Sequence, residues 1–178
     1  MQLRYTMHML STIYRLYIKA NTRLGSAAFY PIPAFVRTYL RRFPFYLQLV
    51  KYARLVNGVD MSVIAPDEYG CVESITRMMR NLDENIVPVM TYTPYFARHM
   101  DKSDRFIEVS ERMARNIGRG VIVVAITQPN VWVGHVGVLD GDRIWSNDSY
   151  KGVWNNKFTL LRFKEYYKRL EIKYYIAI

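Results

Sequence analysis

Apolar residues recur at helical spacing through the first third of the chain. Leu3, Met7, Leu10, Tyr14, Tyr17 and Ile18 share one side of a helix predicted over residues 3–20. Residues 21–33 carry turn formers and read as a connector. A second amphipathic stretch covers residues 34–56. Phe35, Tyr39, Tyr46, Leu49, Val50 and Ala53 form its apolar side, and Pro44 interrupts it. Asn57-Gly58 is a strong turn signal and marks the predicted boundary between an extension, residues 1–56, and a main domain, residues 57–178. Beyond it, Cys71, Val72, Ile75, Met78, Met79 and Leu82 repeat every three or four positions and predict a helix with Cys71 at its start. Pro66 and Gly70 break regular structure just ahead of that helix. Residues 81–90 read as a loop. Thr93 followed by Pro94 has the form of an N-cap and a first helical position, so a short helix is predicted there, with His99 near its end. Residues 104–117 are polar and show no decisive period.

From Gly120 the pattern changes to strands. Val121 to Ile126 is a continuous apolar run, as in a strand buried on both faces. Residues 132–139 and 143–146 flank Asp140-Gly141-Asp142, a good hairpin turn. Thr159 is the predicted cap of a helix bearing Leu160, Phe163, Tyr166, Tyr167 and Leu170, and residues 172–178 close the chain as a strand. A helix followed by an antiparallel sheet predicts an α+β domain.

Composition sharpens this in two places. The formal charge of +10 is not spread evenly: residues 1–59 hold nine Lys or Arg and no acid, whereas the rest holds sixteen basic and fifteen acidic residues, a net of +1. The basic, aromatic extension therefore suits an anionic membrane surface or wall polymer. No recognition signature supports specific nucleic-acid binding. No apolar run approaches the ~18–20 residues that a membrane span needs. The longest, Leu24 to Val36, carries Pro31 and Pro33. No secretory signal is evident. A single cysteine, Cys71, excludes both an intramolecular disulfide framework and a Cys-rich zinc site.

That cysteine is the candidate for chemistry. A thiol at a helix N-terminus lies beside unpaired N–H groups and the positive end of the helix dipole. Both favour the thiolate, with a pKa expected to fall from about 8.5 to roughly 3.5–7.5. A thiol nucleophile needs a base and a group to orient that base. Of the three histidines, His8 lies in the basic extension and His99 on a helix. His135 sits in Val133-Gly134-His135-Val136-Gly137-Val138, where glycines on both sides are expected to leave room for a substrate beside the imidazole. The hairpin register selects the orienting residue. A three-residue loop, Asp140-Gly141-Asp142, brings Asn147 opposite His135. A two-residue loop, Asp140-Gly141, makes Asp148 the same-face neighbour. Either side chain can hold the useful tautomer.

Ala65-Pro66-Asp67-Glu68-Tyr69-Gly70-Cys71-Val72-Glu73-Ser74, then Gly134-His135-Val136-Gly137, then Ser146-Asn147-Asp148-Ser149 with Gly152 and Trp154, resemble phage-encoded papain-like cell-wall peptidases of the NlpC and CHAP types. The likeness runs over about residues 56–178. It implies a papain-like α+β domain and a cysteine-dependent hydrolase of peptidoglycan stem peptides, either endopeptidase or amidase, that needs no metal or other cofactor. It also implies host cytoplasm or virion as the place before action at the wall. By the resemblance Cys71 is the nucleophile, His135 the base and Asn147 the third polar residue, with Asp148 as the alternative. Tyr69, Ser149 and Trp154 become oxyanion or substrate contacts, with Trp132 and Trp145 as further groove residues. The rival expectations are a non-catalytic virion or membrane-associated module of the same fold and a thioester-forming acyltransferase. The chain departs from the family at Gly120-Val121, Ala125-Ile126-Thr127-Gln128 and Glu171-Ile172-Lys173-Tyr174, positions at the cleft rim and sheet edge that bear on substrate choice.

Overall fold

A computed structural model describes residue 12 and residues 33–59, 70–130, 133–148 and 152–178. The helix expected over residues 3–20 therefore lies outside the described residues, apart from Thr12. Six strands form one antiparallel sheet in the order β1-β6-β2-β3-β4-β5. They are β1 (Phe106–Val109), β2 (Arg119–Ile126), β3 (His135–Asp140), β4 (Arg143–Asp148), β5 (Val153–Thr159) and β6 (Glu171–Ala177). β2 lies between β6 and β3, and the side chains of Val121 to Ala125 are all buried. This is why its sequence is an unbroken apolar run rather than an alternating one.

Helices cover both faces of the sheet. One layer holds α1 (Ala34–Leu40), α2 (Phe45–Leu55), α3 (Gly70–Leu82) and α4 (Thr93–Lys102). Their apolar sides share a core with Ile122, Val124, Val136, Val138 and Trp154. The opposite layer holds α5 (Glu111–Ile117) and α6 (Leu160–Tyr166), packed with Val121, Val123, Leu139 and Ile144. Alternate residues of one strand thus feed two cores. Residues 33–56, the described part of the expected extension, belong to the first core: Val36, Leu40, Leu49 and Ala53 are fully buried in it. Arg54 of α2 also grips the carboxylate of Asp140 at the end of β3 through two N–H donors, at 2.6 and 2.5 Å. No helix among the described residues is long and apolar enough to cross a membrane.

Three local readings change. Thr93 is the first residue of α4 and not its cap; Tyr92 precedes it without a side-chain cap bond. The Thr93 hydroxyl instead accepts from the Thr127 N–H at 2.9 Å and shares a 2.8 Å hydrogen bond with the Thr127 hydroxyl. Tertiary pairing has taken the oxygen that a cap would use. The polar stretch 104–117 divides into β1 and α5. Ser110 caps α5 by accepting from the Met113 N–H, and Gly118 ends it at φ 66° with its N–H on the Ala114 carbonyl. Residues 153–159 form an edge strand, and Thr159 caps α6 as its sequence predicts, accepting from the Arg162 N–H at 3.1 Å.

Candidate functional site

Cys71 is the second residue of α3, a helix with one apolar face and a buried first turn. Glu73, also buried, is held by Arg77 one turn later at 2.8 Å. The thiol sits in the helix-side core, 1 % exposed, and receives the Val136 backbone N–H. Burial dominates its acidity: removal from water pushes the thiol up to about 11, and the Val136 N–H recovers only part of that. The expected thiolate is thus not the resting form. The helix dipole and N–H groups are present, but desolvation outweighs them.

His135 opens β3. Alternation sends Val136 and Val138 to the helix-side core and turns His135 to the other face, with Leu139. There its ring stacks on Tyr167, with centroids 5.8 Å apart and planes 15° apart, and lies near Phe158 and Phe163. Burial in this aromatic setting lowers the imidazole to about 4, against the opposing pull of the Asp148 charge. Its Nε2 is buried without a hydrogen-bond partner. No hydrogen bond joins the thiol to the imidazole among the described residues; they are linked through Val136, which follows one and donates to the other. Tyr167, whose ring stacks on His135, also feels the charge of Cys71. Its phenol is raised by burial first and by the Cys71 charge second.

The glycines flanking His135 do not open space for a substrate. A Cβ on Gly134 would fall 2.6 Å from both the Thr127 nitrogen and the Thr93 hydroxyl, and one on Gly137 would lie 2.6 Å from the Trp145 carbonyl and against Ile144. These glycines let neighbouring strands and α4 close in. Gly137→Ala is expected to lower stability by about 1–3 kcal/mol through overpacking, read as a shift in the urea midpoint. An unchanged midpoint would show that β4 yields freely.

The hairpin takes neither anticipated register. Asp140 pairs with Arg143 and Val138 with Trp145, so the loop is Gly141-Asp142. Gly141 adopts φ 66°, a conformation that side-chain-bearing residues rarely take. Continued toward the strand ends, this register sets His135 against Asp148 and Asn147 against Val136. Asn147 pairs with Trp154 in β5, on the helix side of the sheet, and its two polar side-chain atoms are buried without partners. Asp148 is the charge that acts on His135, and it is also ion-paired to Lys157. Asn147, the residue implied by the resemblance, and Asp148, the alternative, both line the cleft with His135; Asp148 is the one whose charge acts on the imidazole, while Asn147 pairs with Trp154 and makes no side-chain hydrogen bond among the described residues.

A cleft of about 400 Å³ opens beside these groups, lined by His135, Asn147, Asp148, Lys157, Arg162 and Tyr167 among others. Of the expected groove residues, Trp154 is fully buried in the helix-side core and Trp145 is almost so, its indole N–H donating to Asp140 at 3.1 Å. Both are packing residues because the register turns them inward. Tyr69, Ser149 and Trp132 lie outside the described residues. Sequence reasoning missed Tyr167, Lys157 and Arg162 as cleft residues. Tyr167 stands four positions after Phe163, a spacing that reads as helix core. No group of three His, Cys, Asp or Glu side chains that could hold a metal ion occurs among the described residues. The chain matches no protein-family profile and no curated protein by sequence.

A thiol near 11 and 1 % exposed predicts slow alkylation. Iodoacetamide should modify native Cys71 far more slowly than a free cysteine between pH 6 and 9, and rapidly once the chain is unfolded. Fast modification of the folded protein at pH 6 would mean that the thiolate is already formed.

Proposed function

We propose that the protein is a papain-like, cysteine-dependent peptidoglycan hydrolase, cleaving within the stem peptide or between muramic acid and L-alanine. The observation that carries this reading is the presence of three groups around the start of β3, with Cys71 on the helix side of the sheet and His135 on the other face. The thiol of Cys71 receives the Val136 N–H, His135 immediately precedes Val136 with a buried, unpartnered Nε2, and Asp148 bears on that imidazole beside an open cleft. The choice of peptidoglycan rests on the likeness of the Cys71, His135 and Asn147-Asp148 segments to phage wall peptidases.

The resting pair is neutral: the proton is on sulfur and the imidazole is free to accept it. Proton transfer requires the Cys71 thiol to come within hydrogen-bond reach of the His135 Nε2; His135 then takes the thiol proton as sulfur attacks the substrate carbonyl, so no standing ion pair is required. The tetrahedral oxyanion collapses to a thioester as the imidazolium gives its proton to the leaving amine. Water, deprotonated by His135, then attacks the thioester, releasing the carboxylic acid and the thiol. Asp148 steadies the imidazolium in both halves. The backbone N–H groups of Val136, Val72 and Cys71, which favour the thiolate, stabilise negative charge on sulfur while it develops. The basic residues of the segment 1–56 hold the enzyme against anionic wall polymers or membrane, an attraction that weakens with salt.

The depth of the thiol favours one second reading, a module that keeps the fold without catalysis. Digestion of purified sacculi followed by mass spectrometry of the released fragments separates these readings. New amino and carboxyl termini support the hydrolase, and intact sacculi refute it.

A further inference from the structure

A second cavity lies apart from the cleft and shares none of its residues. It has a volume of about 700 Å³ and is walled by α1, α2, the end of α3 and the loop after it, with Arg105 closing one side. Four arginines face it: Arg37, Arg41, Arg80 and Arg105. Two acids, Asp83 and Glu84, stand on the same wall, and Ile178 lines it too, its backbone oxygen accepting from the Arg105 Nε at 3.2 Å. Arg105 is engaged with Asp83 at 2.8 Å, and that pairing, with a smaller contribution from Arg41, keeps the Asp83 carboxyl below its usual range. Arg80 spends one N–H on the Val87 carbonyl at 3.3 Å. Arg37 and Arg41 are spaced one helical turn apart on α1, so both guanidinium groups project from one side. The Arg37 Nε is buried without a partner.

We propose that this cavity binds the phosphoryl group of a small phosphate ester. A buried guanidinium N–H with no acceptor is costly unless a ligand supplies one. Arg37, Arg41 and the remaining donors of Arg80 offer more parallel N–H pairs than the two oxygens of a carboxylate can accept. A phosphoryl group, with three acceptor oxygens and up to two charges, matches them. The cavity exceeds what a bare ion fills, and Gln48, Asn81, Asn85 and Glu84 provide amide and carboxylate partners for hydroxyl groups on the ester's alcohol. Glu84 opposes the anion and accepts from those hydroxyls.

The test uses the full chain at constant ionic strength, with inorganic phosphate, glycerol 3-phosphate and chloride as probes in calorimetry. Phosphate and glycerol phosphate are expected to bind where chloride does not. Arg37→Gln with Arg41→Gln should weaken both at least tenfold, and Glu84→Gln should tighten inorganic phosphate a few-fold. Arg80→Gln, on an exposed side chain, gives the same weakening if the double variant fails to fold. Sedimentation with phosphatidic acid and phosphatidylglycerol vesicles distinguishes the source, since only the former carries a phosphate monoester. Binding to the former alone, lost in the Arg37 and Arg41 variants, assigns a lipid-borne phosphate, whereas soluble ester binding assigns a free one. No response to any phosphate probe, or equal binding by the variants, overturns the proposal.

Discussion

Cys71→Ala should abolish release of peptidoglycan fragments, a fall of about 10⁴-fold or more in kcat/KM, since the loss of a nucleophile removes the covalent route entirely. The fold should survive. Ala lacks only the sulfur, and deleting it from the helix-side core costs about 1 kcal/mol, or a few degrees in Tm for a chain of this length. The wild-type pH profile carries a second expectation. In the free enzyme His135 is lowered to about 4 by burial, so kcat/KM, which reports free-enzyme ionisations, should rise as pH increases through about 4 and then level off across neutrality. The sign follows from the base being active only when unprotonated. An acid limb between pH 6 and 7 would place the imidazole in water and reinstate a thiolate–imidazolium pair as the resting state. Cleavage by Cys71→Ala at the wild-type rate would end the thiol mechanism altogether.

The elements that carry the site were legible because their periods are strong. α3 shows its apolar face at every third or fourth residue, and β2 is apolar from Val121 to Ile126 because helices cover both its faces. β5 was not legible as a strand. At the sheet edge only Trp154 of Val153-Trp154-Asn155-Asn156-Lys157-Phe158-Thr159 is fully buried, so no alternation marks it. The hairpin register was illegible for a different reason. Asp140-Gly141-Asp142 offers glycine to more than one turn, and the choice is linked to distant partners. Arg54 forks onto Asp140 and the Trp145 indole donates to the same carboxylate, which holds Asp140 in the strand. A contact spanning 86 residues leaves no local trace. The thiol's acidity failed to read for a related reason: helix position is written in the sequence, whereas burial by Val136 and the surrounding core is a product of assembly.

That register makes the second large prediction, in which two adjacent residues have opposite fates. Asp148→Asn should reduce kcat/KM by about 10²–10⁴-fold, because the neutral amide no longer stabilises the imidazolium and can impose the wrong tautomer. The loss should fall mainly on kcat, since this carboxylate acts on the imidazolium that forms during the reaction. Stability should change little, because the ion pair with Lys157 is largely exposed on the lysine side and such pairs contribute about 0–1 kcal/mol. Asn147→Leu should do the reverse. Asn147 is fully buried beside Trp154, with both polar side-chain atoms unpartnered, so a side chain of similar size without polar atoms removes a desolvation penalty. Its Tm should hold or rise, with activity within a few-fold of wild type. Loss of activity in Asn147→Leu with Asp148→Asn unaffected would return the orienting role to Asn147 and require the three-residue loop that the Asp140–Arg143 pairing excludes.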